Sequence, residues 1–257
     1  MKALSELTRQ DLALIKLLCF DCDGVTVPEG TKISENQGKL VVETMMIEDR
    51  LVQKLNQLKS KYLLTFSSGR SLLYLTRMFE PVLYDRVILQ AENGLFTLIE
   101  GEVTQLERLS LERLELLRKI KYRIRVFGES NSDVLGFEPK QFSVSVHCRQ
   151  EVDQIPAIVK QEARGEKLYC LWNGEAYDIN LAHLNKGRGL EKLCQKLGIG
   201  QNEVLAIGND PNDKEMVEWA GIGVTSNQES MSAADYYTLQ KQELGGEELV
   251  DRILELI

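Results

Sequence analysis

Three short apolar runs, each separated from the next by a segment of helical periodicity, constrain the fold of this 257-residue chain more than any other feature. They are LIKLLCF at 14–20, YLLTF at 62–66 and VIL at 87–89. Apolar runs without alternation suit strands buried on both faces, as parallel strands are. Between the first two, Ile47, Leu51, Leu55 and Leu58 recur at helical spacing and predict an amphipathic helix over 39–60. A second helix is expected after Ser67-Ser68-Gly69-Arg70, running to about residue 79 and stopping near Pro81. Strand, helix, strand, helix, strand is the pattern of an α/β protein with a parallel sheet.

The middle of the chain changes character. Glu92-Asn93-Gly94 reads as a turn, and LFTLIEGEVTQL reads as a hairpin about Glu100-Gly101. Helices are expected over 109–121 and 152–164, and FSVSVHCR (142–149) alternates as a half-buried strand does. LYCLWNGEAYDINL (168–181) predicts a hairpin turning at Asn173-Gly174. From Lys186 the α/β pattern resumes, with a helix capped by Gly198, strands in EVLAIG and AGIGVT, and a closing helix over 246–257. The expected division is a Rossmann-like core from 1–84 and 185–257, with an α+β domain inserted over 85–184.

Charge and composition narrow the function. A net charge of −8 argues against a general nucleic-acid binder, because phosphate backbones recruit basic surfaces. It leaves room for a small anionic substrate in a local positive pocket. No run of about 18 apolar residues suggests a membrane span, and the charged start MKALSELTRQDLALIK is unlike a signal peptide. The five cysteines form no repeated zinc-type pattern and read as reduced thiols of a cytoplasmic protein.

The chemistry gathers in loops after strands or before helices. The first apolar run ends in FDCDG, where Asp21 and Asp23 crowd two carboxylates that repel unless a cation or proton lies between them. An ordinary surface turn is the competing reading. A calcium EF-hand is not, because its fifth and twelfth positions fall on Val25 and Lys32. The other loops carry Ser68-Gly69-Arg70, Lys186-Gly187 and Gly208-Asn209-Asp210-Pro211-Asn212-Asp213. In an open parallel sheet the strands' carboxyl ends share one edge, so loops distant in sequence can converge there. Asp21 can serve as nucleophile and hard oxygen ligand, and Asp23 as general acid and base. Mg²⁺ would neutralise the pair and accept phosphate oxygens. Ser68 at a helix start can hold a phosphate oxygen, and Lys186 can offset developing phosphoryl charge. Each has a plainer reading: Ser68 as an N-cap, Lys186 as a solvated lysine, Asn212 and Asp213 as caps of the next helix.

Taken in this order, the four loops resemble the motifs of the haloacid dehalogenase superfamily of aspartate-nucleophile phosphatases. The long insertion between Ser68 and Lys186, entered through ENG and left through NKGRGLEKL, is similar to that superfamily's second class of cap domain. SGRS and FSVSVHCR resemble trehalose-6-phosphate phosphatases, whereas NDPND resembles mannosyl-3-phosphoglycerate phosphatases. The resemblance implies Mg²⁺-dependent hydrolysis of a phosphorylated sugar or related small metabolite. Asp21 would form an aspartyl phosphate while Asp23 protonates the leaving oxygen and then activates water. Gly69, Arg70, Asn93, His147, Arg149 and Asn212 are the candidate substrate contacts. The implied metal set is Asp21, the Asp23 carbonyl, and Asn209 or Asp210, with Asp213 in support. The superfamily usually places Asp where this chain has Asn209.

Several readings stay open. Arg70 either contacts substrate or pairs with an acid. His147 and Arg149 alternate along one strand and so share a face, which looks either to substrate or to solvent. A sugar-phosphate mutase, or a phosphometabolite-binding protein impaired at Asn209, are the alternatives to a phosphatase. Neither the exact substrate nor the oligomeric state follows from the sequence.

Overall fold

The computed structural model describes residues 1–28, 32–36, 39–239 and 243–257. In chain order the first elements are β1 (Lys2–Ala3), β2 (Leu17–Asp21), the antiparallel pair β3 (Lys32–Asn36) and β4 (Lys39–Glu43), and α1 (Asp49–Leu58). Then come β5 (Leu63–Ser67), α2 (Leu72–Phe79), β6 (Val87–Ala91), β7 (Phe96–Ile99) and β8 (Glu102–Gln105). The middle holds α3 (Leu111–Gly128), β9 (Val134–Phe137), β10 (Val144–Cys148), α4 (Gln154–Ala163), β11 (Leu168–Trp172) and β12 (Ala176–Leu181). The chain closes with α5 (Lys186–Leu197), β13 (Val204–Gly208), α6 (Lys214–Trp219), β14 (Ile222–Thr225), β15 (Tyr236–Tyr237) and α7 (Gly245–Leu256).

One unit comprises 1–30, 44–106 and 185–257. Its sheet runs β1-β15-β14-β13-β2-β5-β6-β7-β8, parallel through β6 and antiparallel beyond it. The apolar runs become β2, β5 and β6, as their lack of alternation predicts. One sheet face packs on α5 and α6 through Leu17, Cys19, Leu190, Leu193, Val204 and Met216. On the other face the rings of Phe20, Phe66 and Phe79 stack in series, at centroid distances of 5.7 and 4.1 Å. From β2 the chain proceeds to β5 on one side, and it later returns to β13 on the other. That reversal of strand order is a topological switch point, where loops from neighbouring strands diverge and leave a crevice.

The second unit comprises 31–43 and 107–184. Its antiparallel sheet, ordered β11-β12-β10-β9, carries α3 and α4 on one face. Ile120, Ile124, Val144, Val146, Ile155 and Tyr177 form the core between them. The pair β3–β4 belongs to this unit, with β4 against β9.

Two expectations need correction. Residues 39–43 form a strand, and the helix expected over 39–60 spans Asp49–Leu58. Leu51, Leu55 and Leu58 supply its buried stripe, while residues 44–48 form no regular element. The insertion expected to begin at 85 also has different limits. β7 pairs with β6, Leu98 opposite Leu89, and thereby extends the first unit's sheet through residue 105. Alternation identifies a hairpin but not which sheet edge accepts it.

Candidate active site

The carboxyl ends of β2, β5, β6 and β13 carry the loops singled out above. Asp21 closes β2 and is 4% exposed. The chain beyond it turns tightly. Gly24 adopts φ +74°, Thr26 N and Val27 N donate to the Cys22 carbonyl, and Thr26 Oγ1 donates to the carbonyl of Asp21 at 3.0 Å. The crowded pair is split between two cations. Lys186 Nζ donates to Asp21 Oδ1 at 2.5 Å, and Arg70 grips Asp23 bidentately through Nε and Nη2, both at 2.8 Å. Arg70 therefore pairs with an acid, the second of its open readings.

Lys186 also donates to Asp213 Oδ1 at 2.5 Å. Asp213 is fully buried, and its Oδ2 accepts from the backbone N–H of Asn209 and of Asp210, at 3.0 and 3.1 Å. Gly208 makes this fold-back possible, because a Cβ there would lie 2.4 Å from the Asp213 Cβ. Asp213 thus anchors both the lysine and the loop. Both of its oxygens are engaged in these contacts. Asn209 is buried, whereas Asp210 and Asn212 are exposed.

Ser68 is buried at the end of β5, and its hydroxyl accepts from Arg70 N at 3.1 Å. Ser71, not Ser68, is the residue that starts α2. The turn after β6 packs against this loop. Asn93 N donates to Ser68 O at 3.0 Å and Glu92 N donates to Arg70 O at 2.9 Å. A Cβ at Gly69 would lie 3.3 Å from Asn93 Oδ1. Glu92, Asn93 and Gly94 all take positive φ, so the turn is a left-handed triplet.

Burial pushes the Asp21 carboxyl well above the usual range, and the Asp213 charge adds to this, while Lys186 opposes both. Burial alone would favour loss of the Lys186 proton. Asp21 and Asp213 outweigh it and hold the ammonium pKa above its ordinary value. Two carboxylates around one ammonium leave one buried negative charge to be met by a proton or a second cation. That charge, with hard oxygen donors around it, suits Mg²⁺. Among the described residues no three acids, histidines or cysteines converge as a ready metal cluster.

His147 and Arg149 lie in the second unit. His147 is buried on β10, with Nε2 2.9 Å from Glu138 Oε1. The register with β9 shifts opposite His147 and Cys148, where β9 carries the extra residue Leu135, and Arg149 lies beyond the end of β10, exposed.

The sequence reading missed Gln90, Glu92 and Thr26, all buried beside these loops. A visible signal existed for Gln90: an amide in an otherwise apolar strand, VILQA.

The carboxyl edge of the parallel sheet thus buries an aspartate against a lysine. Residues 121–246 match the family model described as haloacid dehalogenase-like hydrolase. A phosphoglycolate phosphatase of Methanopyrus kandleri is 22% identical, covering 75% of this chain and 82% of its own. The 5-amino-6-(5-phospho-D-ribitylamino)uracil phosphatase YcsE of Bacillus subtilis is 25% identical, over 87% of this chain and 90% of its own. A haloacid dehalogenase-like hydrolase of Bacteroides thetaiotaomicron shares the fold, with a TM-score of 0.69, 18% identity, and coverage of 93% and 99%. No helix among the described residues is long and apolar enough to cross a membrane.

Proposed function

We propose that this phosphatase is Mg²⁺-dependent and hydrolyses a phosphorylated sugar or related small metabolite through an aspartyl phosphate on Asp21. The observation that carries the reading is the buried Asp21–Lys186–Asp213 cluster at the switch point of the sheet. A carboxylate fixed there can attack phosphorus, with the Lys186 ammonium beside it to offset charge on the phosphoryl oxygens. Asp23, oriented by Arg70, gives a proton to the leaving oxygen and then takes one from the water that cleaves the aspartyl phosphate. Ser68 and the backbone around Gly69 hold the phosphoryl group, with Asn93 against them.

Mg²⁺ would be held by the Asp21 carboxylate, the Asp23 carbonyl and the Asn209 amide oxygen, and would supply Lewis acidity toward the phosphate. Asn209 is favoured over Asp210 because it is the buried residue of the two. The motif likeness favours a trehalose-6-phosphate-like substrate, and the unpaired thiols of all five cysteines suit a cytoplasmic setting.

The test is phosphate release from trehalose-6-phosphate, mannosyl-3-phosphoglycerate, phosphoglycolate and other phosphate monoesters, with and without Mg²⁺. Mg²⁺-dependent release that disappears in Asp21→Asn supports the reading, and the best substrate names the class. Folded protein inert toward the whole panel would overturn it and turn attention to Asn209 and a binding role.

A further inference from the structure

The helix that carries Lys186 begins Lys186-Gly187-Arg188-Gly189, a turn that is weak by itself. Each glycine costs about 1 kcal/mol relative to alanine in a helix. A cation in the first turn also opposes the helix dipole. Neither glycine can be replaced by a better helix former. A Cβ at Gly187 would lie 2.5 Å from the Glu215 backbone, and one at Gly189 would lie 2.5 Å from Gly94 Cα. The turn must therefore be held from outside. Asn185 Oδ1 accepts from Arg188 N at 2.8 Å, and Gln90 Nε2 donates to the Gly189 carbonyl at 2.9 Å.

Gln90 is fully buried at the end of β6. Its own carbonyl accepts from Ser68 N at 2.9 Å. One residue thus joins the backbone of the Ser68 loop to the turn that carries Lys186. Its Oε1, also buried, finds no hydrogen-bond partner among the described residues. An amide buried with half its hydrogen-bonding capacity unmet is a net cost to stability that an apolar side chain would avoid. A cost of this kind beside the reacting groups marks function rather than folding.

We infer that Gln90 is a positioning residue for Lys186, acting through the first turn of α5; the inference rests on the phosphatase reading above. Gln90→Met keeps the length of the side chain and removes the donor. With p-nitrophenyl phosphate and Mg²⁺, kcat of this variant should fall about tenfold. KM should stay within about twofold, because the loss is confined to the transition state. The Tm should hold or rise. Hydrogen exchange at residues 187–190 should quicken while the rest of the molecule is unchanged. In a Lys186→Arg background, the same substitution should cost less than about twofold in kcat, since both changes act on one group.

A Tm that falls together with kcat would make Gln90 merely structural and overturn the inference. So would an unchanged kcat, unchanged exchange at 187–190, or losses that multiply in the double variant. A wild-type protein inert toward every phosphate ester would instead sink the phosphatase reading, and the exchange measurement would then decide the role of Gln90 alone.

Discussion

Asp21 and Asp23 stand one residue apart yet meet different cations. Lys186 holds the first and Arg70 the second, so the two carboxylates sit in different environments. Asp21→Asn should abolish phosphate release, by roughly a thousandfold or more, without unfolding the chain. Phosphate assay beside circular dichroism checks this. Asn209→Asp adds a carboxylate where an amide now stands, and should lower the Mg²⁺ concentration needed for half-maximal rate. A higher Mg²⁺ requirement would remove Asn209 from the metal set. The thiols give a residue-scale test of burial. Desolvation pushes Cys148 and Cys170 each up to about 11, with nearby aspartates adding to it. The thiolate is the reactive form. At pH 8 both should alkylate with iodoacetamide on the order of a hundredfold more slowly than in unfolded chain, where a thiol titrates near 8.5. Equal rates by mass spectrometry would refute the burial.

At the scale of elements, close approach sets the geometry. The turn after β6 and the first turn of α5 meet glycine to glycine, and a Cβ at Gly94 would lie 2.3 Å from Gly189 Cα. Gly94 also holds φ +82°, where side chains are strained. Gly94→Ala should therefore cost about 2–4 kcal/mol, from overpacking and left-handed backbone together. A thermal melt should show this as a drop in Tm of roughly 5–10 °C. Elsewhere in the first unit, Glu247 of α7 bonds Arg50 and Lys54 of α1, at 2.5 and 2.8 Å. Burial pushes its carboxyl up, but the hydrogen bonds from Lys54 and Arg50 outweigh this and hold it below the ordinary 4.5. A lowered folded pKa stabilises at pH above the unfolded value, and that stability is lost as pH falls through the folded one. Glu247→Gln should thus lose about 1 kcal/mol at pH 7. In urea melts the gap from wild type should close toward pH 3. A gap independent of pH would mean packing rather than charge.

Across the whole molecule, the two units differ in how their sheets are assembled along the chain. The second unit's sheet joins strands that all lie within 134–181. The first unit sets β2 beside β13, Leu18 opposite Leu205, so its centre forms only when distant segments meet. Long-range pairing slows folding. Trp172, tilted against Tyr177 at 4.9 Å, reports on the second unit, and Trp219 on the core of the first. In refolding, fluorescence from a Trp219→Phe variant should recover at least about tenfold sooner than from Trp172→Phe. Simultaneous recovery would show the units folding as one. What the sequence by itself determined was local: the apolar runs that must be strands, the hairpin at Asn173-Gly174, the helix that Gly198 ends at φ +67°, and four loops bearing the right chemistry. These follow from side-chain periodicity and turn stereochemistry, which act over a few residues. The tertiary structure alone decided the rest. It set β7 on the edge of the first sheet, gave Arg70 to Asp23, folded Asp213 back onto its own loop and drew Gln90 to Gly189. Each of those is a partnership between groups far apart in the chain or across a turn, and it exists only once burial removes water as the competing partner.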